Sequence, residues 1–125
     1  MFNTGGIFVL SGKIVHVDLD GKGNEQRGIH RAIILKYIQG TSLAIVVPLT
    51  SNVEVYNKFG MTHYIRRSAE NGLTTDSVAQ VFQINSCSTA RFEKDPSGNI
   101  KTIGKLSDDD KKSIESIIRE QMKFL

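Results

Sequence analysis

Short apolar segments separated by turn-forming residues run through much of the chain, a pattern that predicts β-strands. Between residues 13 and 19, Val15, Val17 and Leu19 alternate with polar side chains, which is the two-residue period of a half-buried strand. Short runs rich in β-branched residues predict four further strands, at residues 32–35, 43–49, 62–67 and 77–84. Turn-forming residues at 20–24, 69–72 and 95–98 separate the predicted elements. Five short strands indicate a mainly β fold, either a small barrel or a strongly curved sheet.

The final segment changes to a helical period. Its apolar side chains fall at positions i, i+3, i+4 and i+8, namely Ile114, Ile117, Ile118 and Met122. Ser107, with Asp110 three residues later, resembles a capping box, and the acidic residues that follow Ser107 suit the positive end of a helix dipole. The sequence therefore predicts a C-terminal amphipathic helix that begins after Ser107 and packs its isoleucine stripe on the core.

Length and composition predict a single domain that covers residues 1–125. The chain has 39% hydrophobic and 23% charged residues, which is typical of a globular protein. Cys87 is the only cysteine, so an internal disulfide and a cysteine-rich metal cluster are excluded and a reducing compartment is indicated. The apolar run at residues 7–10 is too short for a signal peptide or a membrane span. We therefore expect a cytoplasmic protein that does not associate with membranes.

Positive charge is concentrated in one part of the sequence. The chain has a net charge of +3, whereas residues 21–67 alone hold seven basic and two acidic side chains, a net charge of +5. Such a segment makes a nucleic acid a candidate partner. The sequence has no nucleotide-binding glycine loop, zinc-ligand spacing or nucleophile elbow. We therefore expect neither a metal nor an organic cofactor.

Several sequence blocks, taken together, resemble one known family. They are VDLD at 17–20, EQRGIHR at 25–31, VVPLTSN at 46–52, TH at 62–63, DSV at 76–78, QI at 83–84 and IGKLS at 103–107. In this order and spacing, from residue 12 to the C-terminus, they resemble the MazF/PemK family of toxin endoribonucleases. The resemblance implies an SH3-like β-barrel with helices, a homodimer, and a groove for single-stranded RNA along the dimer interface.

The same resemblance implies a chemistry and a partner. In this family the ribose 2′-hydroxyl attacks the adjacent phosphate without a metal ion, which gives a 2′,3′-cyclic phosphate and a free 5′-hydroxyl. Cleavage is selective for a sequence in single-stranded RNA such as mRNA. A cognate antitoxin protein blocks the groove. We therefore expect the toxin component of a toxin–antitoxin system.

The chain departs from the family pattern at the catalytic arginine. Where the family has Arg followed by Pro, this sequence has His30 followed by Arg31. Neighbouring residues of a strand point to opposite faces, so Arg31 replaces the arginine only if a local bulge shifts the register. Histidine has a reference pKa of about 6.5 and exchanges a proton near neutrality, and its cation supports a developing phosphorane. We predict that His30 is catalytic, with Arg31 as the alternative.

Other site residues follow from the resemblance. Thr50 matches the active-site threonine, which donates a hydrogen bond to a phosphate oxygen as charge develops, although its hydroxyl could equally end a strand. Glu25 matches the acidic residue of a loop over the site and would orient His30 or act as a base. The predicted RNA-binding residues are Lys22, Asn24, Gln26, Arg27, Ser51, Asn52, Gln83 and Asn85. A second departure lies at residues 82–85, where FQIN stands in place of the family's DQIR.

Two alternative functions stay open from the sequence. Loss of the family arginine is compatible with a catalytically impaired member that binds RNA or antitoxin without cleavage. A topoisomerase poison like CcdB has a similar fold, but such toxins end in a helix with a functional tryptophan, and this chain has no tryptophan.

Three further basic residues have two possible roles. His63, Arg66 and Arg67 either contact RNA phosphates or form a solvated strand face.

Overall fold

The computed structural model describes residues 10–20 and 27–121. In these ranges the chain forms seven β-strands and two α-helices, β1 (Lys13–Asp20), β2 (Arg27–Ile38), β3 (Leu43–Thr50), α1 (Val55–Lys58), β4 (Thr62–Ile65), β5 (Ser77–Gln80), β6 (Asn85–Ser88), β7 (Thr102–Lys105) and α2 (Asp108–Gln121). Short 3₁₀ turns lie at Val81–Gln83 and Thr89–Arg91. None of the helices in these ranges is long and apolar enough to cross a membrane.

The strands form one curled antiparallel sheet around β3. The strand order is β4-β5-β3-β2-β1-β7, and β6 pairs with β3 beside this path. One edge of β3 pairs with β2 as far as Pro48. The other edge pairs first with β6 and then, at Leu49 and Thr50, with β5. The sheet curls into a half-barrel, a 3₁₀ turn connects β5 to β6, and α2 follows at the C-terminal end. The predicted fold class, mainly β with a C-terminal helix, is confirmed.

Two buried clusters use alternate residues of the same strands. The first contains Ile33, Leu35, Val47 and Leu49 together with Ile114 of α2. The second is formed by Val15, Val17, Ala32, Ile34, Ala44, Val46 and Phe92. Because both faces of β2 and β3 are covered, these strands have continuous apolar runs instead of an alternating pattern.

Two of the seven strands were not predicted from the sequence. The four residues of β6 read NSCS and those of β7 read TIGK, so neither segment has the apolar run that predicts a strand. Both strands form because they pair with the edges of β3 and β1, which is a tertiary effect. The expected strand at 62–67 ends at Ile65, and the one expected at 77–84 ends at Gln80 before the 3₁₀ turn.

The helix start and the turn at residues 69–72 are confirmed. The Ser107 Oγ accepts a hydrogen bond from the backbone N–H of Asp110 at 3.1 Å, so Ser107 caps α2. The carboxylate of Asp110 lies 2.8 Å from Nε2 of His63, which ties the start of α2 to β4. Ile114 is fully buried, whereas Met122 lies outside the described residues. Gly72 adopts a φ of +70°, which glycine tolerates best.

Candidate functional site

His30 and Thr50 lie at the same end and on the same face of the β2–β3 pair. Ala32 of β2 is the partner of Pro48 of β3, and His30 and Thr50 each lie two residues beyond this pair in the same direction. Ala32 and Val46 both pack in the second cluster, so even-numbered positions at this end of both strands share that face. Both side chains are partly exposed. The strand register therefore places on one face two of the residues that the sequence predicts to be catalytic.

Arg31 faces the opposite way. Its Nη1 donates a hydrogen bond at 3.0 Å to Oγ of Ser77, a fully buried residue of β5. The β1–β2 pairing runs without a break from Asp20↔Arg27 to Ile14↔Ile33, so the bulge that would turn Arg31 towards Thr50 is not formed. Burial lowers the pKa of the Arg31 guanidinium, which nevertheless stays cationic near neutrality.

The loop after β3 is held by its own polar side chains. Thr50 Oγ1 accepts a hydrogen bond from the backbone N–H of Asn52 at 3.1 Å, and Asn52 Oδ1 accepts one from the N–H of Glu54 at 3.3 Å. A hydroxyl that accepts one hydrogen bond still has its own proton to donate. Ser51 and Asn52 are exposed. The loop thus fixes Thr50 and presents hydrogen-bonding groups to the solvent.

Gln83 and Asn85 form a second polar group along the other edge of β3. Gln83 Nε2 donates a hydrogen bond to Oε1 of Gln80 at 3.2 Å, and Asn85 Nδ2 donates one to the carbonyl oxygen of Gln83 at 3.0 Å. Asn85 is the cross-strand partner of Val46 and therefore lies on the same sheet face as Thr50.

The sequence did not single out Ser77 and Gln80. They are the polar ends of a four-residue strand, SVAQ, whose residues are all buried. A buried polar group is stable when it is hydrogen-bonded. Ser77 Oγ accepts from Arg31 and Gln80 Oε1 accepts from Gln83, whereas the buried Nε2 of Gln80 has no partner among the described residues. The sequence signal that could have identified them is the polar residue on either side of the apolar pair Val78 and Ala79.

Several predicted site residues lie outside the described part of the chain. These are Lys22, Asn24, Glu25 and Gln26. For Arg27 the structure describes the backbone, which pairs with Asp20 of β1. The proposed roles of these five residues stay predictions.

Three of the other basic residues, His16, His63 and Arg67, have structural partners. His63 contacts Asp110, and His16 Nδ1 lies 3.0 Å from Oε1 of Glu93. The backbone N–H of Arg67 donates to Asp76 at 2.9 Å, and the Tyr64 hydroxyl donates to the same carboxylate at 2.9 Å. These hydrogen bonds lower the pKa of Asp76, and the bond to Asp76 raises the pKa of Tyr64.

Cys87 is partly buried, and the acidic residues of the described ranges do not cluster with other metal-ligating side chains. Cys87 packs against the second cluster, and burial raises the pKa of its thiol. Among residues 10–20 and 27–121, no three His, Cys, Asp or Glu side chains come close enough to hold a metal ion.

The match to a family of known proteins agrees with this geometry. A sequence model of that family, described as the PemK-like, MazF-like toxin of type II toxin–antitoxin systems, matches residues 10–122. The chain belongs to this family. No match to a curated protein was found. Membership of the MazF/PemK family makes the chain a type II toxin and implies an antitoxin as its partner. Endoribonuclease activity is general in this family.

Proposed function

We propose that this MazF/PemK toxin is a metal-independent, sequence-selective endoribonuclease for single-stranded RNA such as mRNA. The observation that carries the proposal is the position of His30 and Thr50 on one face at one end of the β2–β3 pair. On one face of the strand pair they supply a side chain of the type that exchanges protons near neutrality and a hydrogen-bond donor. This pairing can serve phosphate chemistry even though the family arginine is absent.

The reaction needs two proton transfers and stabilisation of negative charge. The 2′-oxygen loses its proton and forms a bond to phosphorus, while the bond from phosphorus to the 5′-oxygen breaks and that oxygen gains a proton. His30 would carry one of these protons, and Glu25 would orient His30 or serve as the base. Thr50 would donate a hydrogen bond to a non-bridging phosphate oxygen, where charge increases in the transition state. The products are a 2′,3′-cyclic phosphate and a 5′-hydroxyl.

Charge and exposed polar groups support RNA as the substrate. Residues 27–67 carry six basic side chains and one acidic side chain, Glu54. Ser51, Asn52, Gln83 and Asn85 would hydrogen-bond to bases or riboses, since unpaired bases expose their edges. We further propose that the active form is a cytoplasmic homodimer, with RNA or the antitoxin occupying the same groove.

Mapping of RNA ends tests this proposal. The purified protein is incubated with a long RNA in excess EDTA, and the ends of the fragments are determined. We expect discrete cuts with 5′-hydroxyl and 2′,3′-cyclic phosphate ends. A 2′-deoxy substitution at the cut nucleotide should stop cleavage there, because the nucleophile is removed. Cuts that need a divalent cation or leave 5′-phosphates would contradict the mechanism.

The residue at position 30 also favours a second candidate function. If an imidazole does not replace the family arginine, the chain is a toxin-like protein that binds RNA or antitoxin without cleavage. The same incubation distinguishes the two functions, because retention of intact RNA in a complex would support binding alone.

A further inference from the structure

Three aromatic rings are exposed close to the candidate site. The exposed fractions are 47% for Tyr56, 52% for Phe59 and 37% for Phe82. Phe59 and Phe82 stack, with ring centroids 5.1 Å apart and an interplanar angle of 27°. We call these three residues the aromatic patch. Large rings grouped on a surface indicate a binding site more often than single exposed side chains do.

The backbone around the aromatic patch is held in place. The backbone N–H of Phe82 donates a hydrogen bond to the carbonyl oxygen of Met61 at 3.2 Å. The backbone N–H of Phe59 donates one to the carbonyl oxygen of Val55 at 3.1 Å. Tyr56 meets Tyr64 edge to face at 5.8 Å, and the Tyr64 hydroxyl is bonded to Asp76. Rings that are already ordered lose little conformational entropy when a ligand stacks on them.

The aromatic patch lies between two groups of proposed RNA-binding residues. The loop of Thr50, Ser51 and Asn52 leads directly into α1, which carries Tyr56, while Phe82 immediately precedes Gln83. Thr50 is the partner of Val78, and the four residue-to-residue steps from Val78 to Phe82 span at most about 14 Å. A short stretch of single-stranded RNA that passes Thr50 can therefore reach the patch.

We propose that the aromatic patch is a stacking platform for unpaired bases of the bound RNA, an inference that rests on the proposed nuclease function. Aromatic rings stack on every base, so such a platform adds affinity without requiring one base sequence. The positive charge of residues 27–67 complements a polyanion. Polar amides on both sides of the patch suit bases and riboses better than the continuous aliphatic surface of a protein interface.

Binding of two matched probes tests this inference. One probe is a single-stranded oligoadenylate, and the other is an abasic ribose-phosphate chain of equal length. Both carry 2′-O-methyl groups, which block cleavage. Fluorescence anisotropy of the wild-type protein should show clearly tighter binding of the oligoadenylate. Phe59→Ala and Phe82→Ala should each weaken binding of the oligoadenylate by about tenfold and leave binding of the abasic chain unchanged.

Control variants separate stacking from loss of structure. Phe82→Tyr retains a ring and should keep near wild-type affinity for the oligoadenylate. Tyr37→Ala removes a ring that is 39% exposed at the far end of β2, and it should change neither affinity. Circular dichroism shows whether each variant is folded.

Each contrary result has a distinct meaning. Equal losses for both probes, or no loss for either, would overturn the platform while leaving the nuclease proposal intact. A wild-type protein that binds neither probe and cuts no RNA would overturn both proposals. A third outcome would show that the patch contacts protein instead. In that case Phe59→Ala or Phe82→Ala changes the oligomeric state of the protein, while the preference for the oligoadenylate over the abasic chain stays unchanged.

Discussion

At positions 30 and 31 a histidine and an arginine are adjacent in sequence, and their side chains point to opposite faces of β2. The unbroken β1–β2 register places His30 on the face shared with Thr50, while Arg31 contacts Ser77 on the other face. The alternation of a strand was sufficient to predict this separation. Identification of Ser77 as the partner of Arg31 required the tertiary fold, because β5 follows β2 by about forty residues.

Substitution of Thr50 tests whether its hydroxyl stabilises the transition state of RNA cleavage. We expect Thr50→Ala to lower the rate of RNA cleavage by roughly a hundredfold, because one donor to the developing charge is lost. Thr50→Ser keeps the hydroxyl and should retain most of the activity, and Thr74→Ala, at an exposed loop position, should be neutral. Single-turnover rates with saturating protein provide the comparison. Unchanged turnover in Thr50→Ala would remove this hydroxyl from the mechanism.

Asp76 gives a stability prediction with a defined sign. Hydrogen bonds from Arg67 and Tyr64 hold the pKa of Asp76 below its usual value of 3.8, so its charged form favours the folded state. This contribution to folding stability is fully present at pH values above the usual pKa of the carboxyl group. It is lost as the pH falls through the lower pKa that Asp76 has in the folded state. Urea unfolding should therefore show that Asp76→Asn is destabilising at pH 7 and that its difference from the wild type shrinks in acid. A constant difference across pH would contradict this role.

At the element scale, β7 packs closely against the turn at residues 69–72. The N–H of Lys105 donates to the carbonyl oxygen of Glu70 at 3.1 Å. A Cβ on Gly104 would lie 2.6 Å from that oxygen and still closer to the backbone of Asn71. Glycine at position 104 is therefore needed for the close approach of two backbones.

Substitution of Gly104 tests this contact. Gly104→Ala should destabilise the protein by about 3 kcal/mol or more, because the clash is with backbone atoms that cannot rotate away. At Gly60, an added Cβ would meet none of the described atoms within 4 Å, so Gly60→Ala serves as the control. Thermal and urea unfolding of both variants measure the difference. Equal free energies of unfolding for the two variants would show that β7 and the turn can move apart without loss of stability.

The elements differ in how well their sequences predict them. The β-branched core runs of β2 and β3 and the capped helix α2 carry strong local signals. The strands β6 and β7 do not, because pairing with a neighbour stabilises them more than the propensity of their own residues. The helix α1 has only four residues, too few for a periodic pattern to be visible.

At the scale of the whole molecule, the uneven charge predicts a salt-dependent interaction. Binding of single-stranded RNA should release counterions from the phosphates that face the basic residues between positions 27 and 67. With about four phosphate contacts, the affinity should fall roughly fiftyfold between about 50 and 200 mM salt. Anisotropy titrations with the 2′-O-methyl oligoadenylate measure this slope. A flat dependence would contradict an RNA groove in this part of the molecule.

The candidate site could be predicted from the sequence only in part. The family resemblance pointed to Thr50 and position 30, and strand alternation predicted that His30 and Arg31 face opposite ways, whereas the shared face of His30 and Thr50 came from the structure. The aromatic patch was not predicted, because Phe59 and Phe82 are 23 positions apart and the pairing of β4 with β5 and the hydrogen bond from Phe82 to Met61 bring their segments together. Contacts between distant segments depend on the curl of the sheet, which no local pattern specifies.

The central claim is that His30, and not Arg31, is the catalytic cation for RNA cleavage. The pH dependence of the single-turnover cleavage rate, measured for the wild type, His30→Ala, His30→Arg and Arg31→Ala, tests it most directly. We expect the wild-type rate to change across the range in which histidine side chains usually titrate, around pH 6.5. His30→Ala should lose this change along with most of the activity, whereas His30→Arg should retain some cleavage with no inflection near neutrality. A wild-type pH profile in His30→Ala, together with loss of cleavage in a folded Arg31→Ala protein, would contradict the account.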